Sequence, residues 1–501
     1  MIHINRLILN ISNHVRKFYL NSNFYDKKIS KGNNKKLIYK PSPHLLSSLI
    51  KYQKKKNKIE DFSLDEIWDN KNLSDKEFRN LNNFYWFFSL DLKSSKKITQ
   101  TVITKWIKYN HKYNHKSWNF DLTAKRIIAW LSCCNLTYDE SNENYKNDFN
   151  KIILKQTHHL INEVNRSKIV DDKLIGCASI ILVGLCYQNE KKYLSFGTAL
   201  LKKISRFTLD NDGFPKTRNI KQLVFYLKYF ILIREWFKES QISIPEHIDE
   251  TIYYLGQSYA FAWQNIKSDF LFNGNNISNN RNFDNYLSQL GYKFKNDSKD
   301  FGGYIILKNK KICLTIDVGS TPNQKYTEDN QSGALSFEIV SGGKKLITNC
   351  GYFKKNSKLN KLSRSSAAQS TLIVDDNSSC KFIKVGESLL IKNGIKITKK
   401  ETIFEKDYWR IQASHDGYLK QYNLIHEREI EFYPEQMSFI GRDKLIKKKN
   451  NNYKFDIRFH VEPNVKLMKT QNNKSILIEL KDEGWKFSCE NFDINIDNGL
   501  Y

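Results

Sequence analysis

The chain of 501 residues carries 81 Lys and Arg against 53 Asp and Glu, which gives a formal net charge of +28. With 40% hydrophobic and 13% aromatic residues it has enough apolar surface to form a core, which excludes a disordered chain. The chain is too long to fold around a single hydrophobic core, so two or three domains are expected. The charge would attract nucleic acid, anionic lipid or acidic polysaccharide, although a composition rich in Lys, Asn and Ile explains it equally well without a dedicated surface.

The eight cysteines form no C-x-x-C pair, which argues against a zinc site or a redox couple and predicts buried thiols. Polar residues interrupt the first eleven positions too early to leave the apolar core of a signal peptide. No run of apolar residues approaches the length that spans a membrane. Taken alone, these features predict a soluble protein that is not exported.

The first half of the chain is predicted to be helical. Residues 1–80 form a basic N-terminal extension that is partly helical, with a helix over 43–54 that follows a Pro and Ser start signal. Residues 81–275 then show apolar side chains at three- and four-residue spacing, which predicts a helical bundle or an incomplete α/α toroid. The segments that carry this spacing are 102–107, 122–130, 152–164, 174–187, 193–209 and 220–237.

A polar linker at 273–280 separates this part from a region of short strands, over residues 281–501. Turn residues separate the strands, a pattern typical of an antiparallel β-sandwich. The predicted fold class is therefore multidomain α+β, with a helical toroid followed by a sandwich. The predicted strands include 303–307, 312–316, 389–391, 395–397, 409–412, 455–459 and 475–480.

The stretch from Gln331 to Leu372 combines strands with recurring uncharged polar residues. Alternating apolar residues over 335–339 predict one buried sheet face, and Gly342-Gly343 predicts a two-residue hairpin before the next strand. Three amides lie at predicted strand ends, where binding sites are usually built: Gln331, Asn349 and Gln369.

The order of the segments 335–339, 349–351 and 364–372, after a helical first half, resembles the heparinase II/III family of polysaccharide lyases. The resemblance rests on six or more motifs that occur in the family's order. It covers the whole chain except about the first 75 residues. The further motifs similar to the family's are Trp-Asn-Phe-Asp-Leu-Thr-Ala-Lys-Arg-Ile-Ile-Ala-Trp at 118–130, Asp-Gly-Phe-Pro-Lys-Thr-Arg-Asn at 212–219, Asp-Gly-Tyr at 416–418, His-Glu-Arg at 426–428, Gly-Arg-Asp at 441–443 and Ile-Arg-Phe-His-Val at 457–461.

The resemblance implies a uronate-containing polysaccharide that is cut by β-elimination in a cleft between toroid and sandwich. Such a reaction needs a group that neutralises the carboxylate, a base for the C5 proton and an acid for the leaving oxygen. The alternative is a non-catalytic glycan-binding or polysaccharide-assembly protein that kept the fold. The partner expected in both cases is an acidic glycan and not nucleic acid. The family also implies the cell envelope or periplasm, whereas the N-terminus offers no evident export signal.

This chain departs from the family at several site positions. By the resemblance, Gln331 and Gln369 stand where relatives with the fuller pattern carry histidines, and Asn349 stands where zinc-binding relatives carry an aspartate. Neutral amides are poor zinc ligands, so no metal and no cofactor is predicted here. Asp329 occupies the position of a catalytic histidine of some relatives, and Gln222 falls near that of a catalytic tyrosine.

Three residues are candidates for catalysis. Arg218 and Asn219 combine a cation with an amide in a loop, which suits binding and orienting a carboxylate. The other interpretation of Asn219 is an N-cap for the helix that starts near residue 220. His426 is predicted to share a strand face with Arg428, either to contact substrate or to form a structural hydrogen-bonded pair.

The remaining candidates are for substrate binding and include the three amides named above together with Arg126, Arg364 and Arg428. Arg126 would line the toroid cleft or form an ion pair with an acidic neighbour. Arg364 would face acidic sugar or form a salt bridge within its loop.

Overall fold

The computed structural model describes residues 12–31, 35–49, 68, 73–89, 96–264, 270–275, 281–354, 357–386, 388–447, 452–463, 465–471 and 473–499. The chain divides into two compact units. The first, called here the helical unit, comprises Met1–Thr208, Tyr226–Ile252 and Arg281–Tyr292. The second, called the sheet unit, comprises Leu209–Phe225, Tyr253–Asn280 and Lys293–Tyr501. The domain limits given by the sequence pattern stay predictions.

Helices dominate the first half of the chain, as the spacing of apolar residues predicts. The predicted helix over 43–54 begins at Pro43 and ends at Ser47, while residues 50–54 lie outside the described part of the chain. The principal helices are Asn23–Ile29, Pro43–Ser47, Asp75–Asn82, Lys96–Asn110, Phe120–Ser132, Cys134–Thr137, Glu143–Glu163, Val170–Cys186, Lys191–Thr208, Ile220–Glu239, Glu246–Tyr259 and Arg281–Gln289.

Helix Val170–Cys186 lies at the centre of the helical unit. Every residue from Leu174 to Cys186 is buried, as expected for a helix that is apolar on all sides. The following helix, Lys191–Thr208, packs closely against it, because a Cβ built on Gly184 would lie 2.7 Å from the backbone nitrogen of Leu194. Glycine is therefore required at this crossing of the two helices.

The second half is built of antiparallel strands. A five-stranded sheet follows chain order from Asp300–Phe301 to Lys344–Ile347, and a four-stranded sheet contains the strands between Ile397 and Lys447. The strands are Asp300–Phe301, Tyr304–Lys308, Ile312–Asp317, Phe337–Ser341, Lys344–Ile347, Leu372–Val374, Lys381–Val385, Ser388–Asn393, Ile397–Phe404, Trp409–His415, Leu424–Tyr433, Ser438–Lys447, Phe455–Ile457, Lys466–Lys469, Ser475–Leu480 and Glu483–Ser488.

One apolar core joins these sheets. It includes Leu314 and Ile316 of the five-stranded sheet, Ile411 and Phe432 of the four-stranded sheet, and Ile478 of a third sheet. The predicted hairpin is present, since Gly342 and Gly343 connect two paired strands with φ values of 54° and 79°. A helical region followed by antiparallel sheets confirms the fold class predicted from the sequence.

Candidate functional site

The amides of Gln331 and Gln369 meet at one backbone oxygen in the sheet unit. Gln331 Nε2 donates to Ser363 O at 2.6 Å and to Gly351 O at 2.9 Å, while Gln369 Nε2 donates to the same Ser363 O at 3.1 Å. Gln331 Oε1 in turn accepts the N–H of Gly274 at 3.2 Å. Both side chains are buried, so these bonds fix the orientation of each amide.

Asn349 lies beside this pair without sharing its acceptor. Its Oδ1 accepts the backbone N–H of Ser370, the residue after Gln369, at 2.8 Å. Asn349 Nδ2 and Gln369 Oε1 are buried and have no hydrogen-bond partner in the part of the chain that the structure describes. The structure thus brings the three amides that the sequence singles out into one buried corner, which contains an unused donor and an unused acceptor.

The donor set of this corner does not fit the structural zinc that the resemblance would otherwise imply. Gln331 and Gln369 point their NH₂ groups at a shared carbonyl, and the oxygens of Gln331 and Asn349 already accept backbone N–H groups. Zinc in proteins prefers thiolate, imidazole and carboxylate ligands, and this corner offers one free amide oxygen. Among the described residues, no group of three or more His, Cys, Asp or Glu side chains could hold a metal ion.

Arg218 and Asp317 form a buried ion pair that connects several loops of the sheet unit. Arg218 Nη2 lies 2.6 Å from Asp317 Oδ1 and also donates to Gly303 O, while Asp317 Oδ2 accepts from Asn273 Nδ2 at 2.9 Å. Burial alone would lower the pKa of Arg218, but the Asp317 carboxylate outweighs this and raises it. Arg218 therefore stays charged and is used within the protein.

The backbone is strained around this ion pair. Arg218, Asn273 and Leu335 are non-glycine residues with positive φ values of 59°, 41° and 59°. Each is tied to Asp317, through the ion pair, the Asn273 amide and the bond from Leu335 N to Asp317 O at 2.8 Å. Strain of this kind persists only where the surroundings over-determine the conformation, and it concentrates at functional sites.

Asn219 has two separate ends with different surroundings. Its Oδ1 accepts the backbone N–H groups of Lys221 at 2.9 Å and Gln222 at 3.4 Å, which makes it the N-cap of helix Ile220–Glu239. Its Nδ2 faces Gly274, where an added Cβ would lie 2.5 Å away, and donates to no acceptor within the described residues. The oxygen of Asn219 therefore has the capping role, while its amide nitrogen makes no hydrogen bond to a described residue.

A polar cluster of Asp329, Tyr352 and Lys354 lies next to Asn219. The Tyr352 hydroxyl donates to Asp329 Oδ1 at 3.0 Å, and Lys354 Nζ lies 2.9 Å from the same oxygen. Asp329 also approaches Gly274, since a Cβ on that glycine would lie 2.9 Å from Asp329 Cβ. Burial, and next the Asp329 carboxylate, raise the pKa of Tyr352, so its hydroxyl keeps its proton. Asp329 and Lys354 are partly exposed, with 25% and 58% of their side-chain surface accessible.

Arg364 does not face sugar. Its three guanidinium nitrogens donate to the backbone oxygens of Asn330, Leu389 and Thr327 at 2.6–2.8 Å, and its side chain is buried over Phe382. The expected alternative, a salt bridge within the loop, is also absent among the residues that the structure describes. Arg364 instead holds the chain on both sides of the corner in place through carbonyl groups.

His426 and Arg428 share a strand face, as predicted, but the face is buried. Both side chains bind Asp443, with His426 Nε2 at 2.6 Å from Oδ1 and Arg428 Nη2 at 2.9 Å from Oδ2. Arg428 also donates to Leu335 O and Ser370 O, so its nitrogens are used within the protein. The arrangement corresponds to the structural pair, and neither side chain is accessible to a substrate in this conformation.

His415 extends this network, and its partners determine both tautomers. Gly417 N donates to His415 Nδ1 at 3.0 Å, so the proton of His415 is on Nε2, which donates to His426 Nδ1 at 3.1 Å. His426 then carries its proton on Nε2 and donates to Asp443. Burial lowers the pKa of both imidazoles, well below the usual value for His415, and both are neutral.

Arg126 belongs to the helical unit and is fully buried. It stacks on Trp106 at 4.0 Å and donates to the backbone oxygens of Asn82 and Ser117. Its burial without a carboxylate partner in the described part of the chain lowers its pKa. Neither the cleft position nor the ion pair considered for Arg126 is seen, because its charge is compensated by carbonyl dipoles and an aromatic ring.

Sequence reasoning missed the residues that organise the site. Asp317, Tyr304 and Tyr352 were not identified as candidates, and Asn273 was assigned to a polar linker although its side chain is 4% exposed and bonded to Asp317. One signal was available: Asp317 ends the apolar strand Ile312–Asp317, and a carboxylate in such a position requires a buried partner. The partner itself, 99 residues away, could not be read from the sequence.

Comparison with solved structures finds a similar fold in several heparinase structures. A heparinase III with methylated lysines has a TM-score of 0.64 at 13% identity, over 88% of this chain and 75% of that one. A heparinase III crystal structure gives 0.62 at 14% identity, over 92% and 76%. A mutant of the heparan sulfate lyase HepC from Pedobacter heparinus gives 0.61 at 12% identity, over 92% and 78%. At these identities the likeness shows a shared fold.

Residues 296–501 match the family model described as Heparinase II/III-like, C-terminal. The resemblance drawn from the motifs is thereby confirmed. Comparison with curated proteins gave no match. Within the described residues, no helix is long and apolar enough to cross a membrane.

Proposed function

We propose that the protein is a polysaccharide lyase that cleaves a uronate-containing, acidic glycan by β-elimination. The observation that carries this proposal is the cluster of Asn219, Asp329, Tyr352 and Lys354. In this cluster the buried amide of Asn219 and the buried, protonated hydroxyl of Tyr352 lie beside a carboxylate and an ammonium group that are accessible to solvent. The substrate class is supported by the similar solved structures, which are heparinases and a heparan sulfate lyase.

The cluster supplies a group for each of the three steps of the reaction. Asn219 Nδ2 and the Lys354 ammonium bind the uronate carboxylate, which lowers the energy of the carbanion that forms beside it. Asp329 accepts the C5 proton, and the electron pair left at C5 forms the C4–C5 double bond as the C4–O bond breaks. Tyr352 donates its proton to the leaving oxygen and recovers one from Asp329 along their 3.0 Å hydrogen bond.

The test is an ultraviolet absorbance assay for the unsaturated product, with a panel of acidic polysaccharides as substrates. Tyr352→Phe removes the proton donor and keeps the ring, and we expect at least a hundredfold lower rate, in line with the usual contribution of general acids. Asp329→Asn tests the base in the same assay. An unchanged rate in both variants would refute these roles.

A second candidate function is non-catalytic glycan binding. The observation that favours it is the buried corner, where Gln331, Asn349 and Gln369 replace residues that the resemblance associates with metal binding and catalysis. Binding of an acidic glycan to the wild-type protein, without a rise in absorbance over the whole panel, would support this function in place of the lyase.

A further inference from the structure

The segment from Lys96 to Phe120 in the helical unit concentrates positive charge. It contains six lysines and two histidines and no Asp or Glu. Helix Lys96–Asn110 buries Val102, Ile103 and Trp106 and presents its opposite face to solvent. The turn that follows adds further exposed cations. The exposed basic residues of the segment, called here the basic surface, are Lys97, Lys108, His111, Lys112, His115 and Lys116.

Four lysines of this surface have no ion-pair partner among the residues that the structure describes. Lys97, Lys108, Lys112 and Lys116 have no carboxylate within ion-pair distance in the described part of the chain. Elsewhere in the helical unit, Arg79 and Lys125 are paired with Asp121, and Lys155 is paired with Asp26. Four lysines without a carboxylate partner thus lie in one segment that itself contains no Asp or Glu.

The turn that presents these side chains is held in a defined conformation. Asn114 Oδ1 accepts the backbone N–H of Lys116 at 2.9 Å, and Trp118 Nε1 donates to Asn110 O at 2.9 Å. Tyr113 packs on the rings of Trp118 and His159, with centroids 6.2 and 5.3 Å away. Lys155 Nζ, from helix Glu143–Glu163, donates to the carbonyl of His111 at 2.6 Å. A surface held in this way loses little backbone entropy when it binds a ligand.

We propose that the basic surface is a binding site for a linear acidic polysaccharide, separate from the cluster of Asn219 and Tyr352 in the sheet unit. Several unpaired ammonium groups on one ordered face complement a polymer with regularly spaced carboxylate or sulfate groups. The surface contains no arginine. Nucleic-acid sites prefer arginine because its planar guanidinium forms bidentate hydrogen bonds with phosphates and bases, so an acidic glycan is favoured over nucleic acid. The choice of glycan rests on the proposed function, whereas the anionic character of the ligand follows from the surface itself.

The experiment measures affinity of the full chain for fluorescently labelled heparin and polygalacturonate oligosaccharides at low salt. The triple variant Lys108→Gln, Lys112→Gln, Lys116→Gln should bind about tenfold more weakly and show a shallower dependence of affinity on salt. The matched control is Lys151→Gln, Lys202→Gln, Lys203→Gln, which removes the same charge from exposed positions of the same unit. The control should change affinity less than threefold.

Three results would overturn the proposal. Equal loss of affinity in the two triple variants would mean attraction by net charge alone, and no loss in either would mean that the glycan binds elsewhere. Tighter binding of a duplex DNA of matched charge, lost in the same variant, would identify the surface as a nucleic-acid site. The absorbance assay on the same proteins separates this proposal from the proposed lyase activity. Glycan binding without unsaturated product would refute only catalysis. Product formation, together with unaltered glycan affinity in the triple variant of the basic surface, would refute only this binding site.

Discussion

Gln331 and Gln369 donate to the same carbonyl oxygen, that of Ser363, at 2.6 and 3.1 Å. Gln331 also satisfies Gly351 O and Gly274 N, whereas Gln369 Oε1 has no partner among the described residues. The two amides therefore differ in the number of buried backbone groups that depend on them. Both polar atoms of the Gln331 amide are hydrogen-bonded, whereas in the Gln369 amide only the nitrogen is.

The first prediction concerns the stability that each amide contributes. Gln331→Leu leaves a buried N–H and a buried carbonyl without their partner, so we expect a loss of about 2 to 4 kcal/mol in the free energy of unfolding. Gln369→Leu leaves Ser363 O bonded to Gln331 and removes an unpartnered oxygen, so a loss of about 1 kcal/mol or less is expected. Urea denaturation of both variants measures the difference, and equal losses would contradict the asymmetry.

The second prediction separates the two ends of Asn219. Asn219→Ser keeps a good N-cap for helix Ile220–Glu239 but removes the Nδ2 donor, so stability should change by no more than about 0.5 kcal/mol. Glycan affinity, or the rate if the protein is a lyase, should fall by about tenfold or more because one donor to the carboxylate is lost. Asn219→Asp also caps well and adds a negative charge, and its loss of affinity should be larger.

Thermal unfolding and glycan titration on the same two Asn219 variants check this prediction. Reduced stability in Asn219→Ser together with unchanged affinity would assign Asn219 to capping alone.

The third prediction concerns the ion pair between Arg218 and Asp317, whose side chains are 11% and 4% exposed. Asp317→Asn leaves the guanidinium without its countercharge, and Arg218→Met leaves the carboxylate buried and unpaired. We expect each change to cost about 3 to 5 kcal/mol of unfolding free energy. The double variant should be less destabilised than the sum of the two, as a double-mutant cycle by chemical denaturation would show. Additive losses would mean that the two side chains act independently.

The fourth prediction is the dependence of stability on pH, from His415 and His426. Their folded-state pKa values lie below the ordinary value of about 6.5, so the unfolded chain binds more protons below that pH. The two neutral histidines therefore contribute their full stabilisation above about pH 6.5. The free energy of unfolding should fall by about 1 to 3 kcal/mol between pH 7.5 and 5.5. Chemical denaturation at both pH values measures this loss.

A variant pair provides the control for the pH prediction. His415→Gln should reduce the pH dependence by about one proton, and His44→Gln, at an exposed position of helix Pro43–Ser47, is the matched control for the loss of one imidazole. Similar pH profiles for the wild type and His415→Gln would show that another group controls the acid sensitivity.

The amino-acid sequence by itself determined that the first half is helical and the second half is built of strands, and it carried the resemblance to the heparinase II/III family. Spacing of apolar residues is local information, so helix Ile220–Glu239 and strand Ser475–Leu480 could be predicted closely, and Gly342-Gly343 marked its own hairpin. The amides at 331, 349 and 369 could also be singled out in advance, because short motifs in a fixed order carried the resemblance.

Only the tertiary structure decided which polar residues are buried and which remain available to a ligand. Arg126, Arg364, Arg428 and His426 looked like binding residues, yet each is buried and held by partners on other elements or loops of the chain. An arginine has the same sequence signature whether its guanidinium meets solvent or buried carbonyl groups, because that choice depends on what the rest of the chain packs around it. For the same reason Asp317 and Tyr352, unremarkable in the sequence, emerged as central to the site once the strands and loops were brought together.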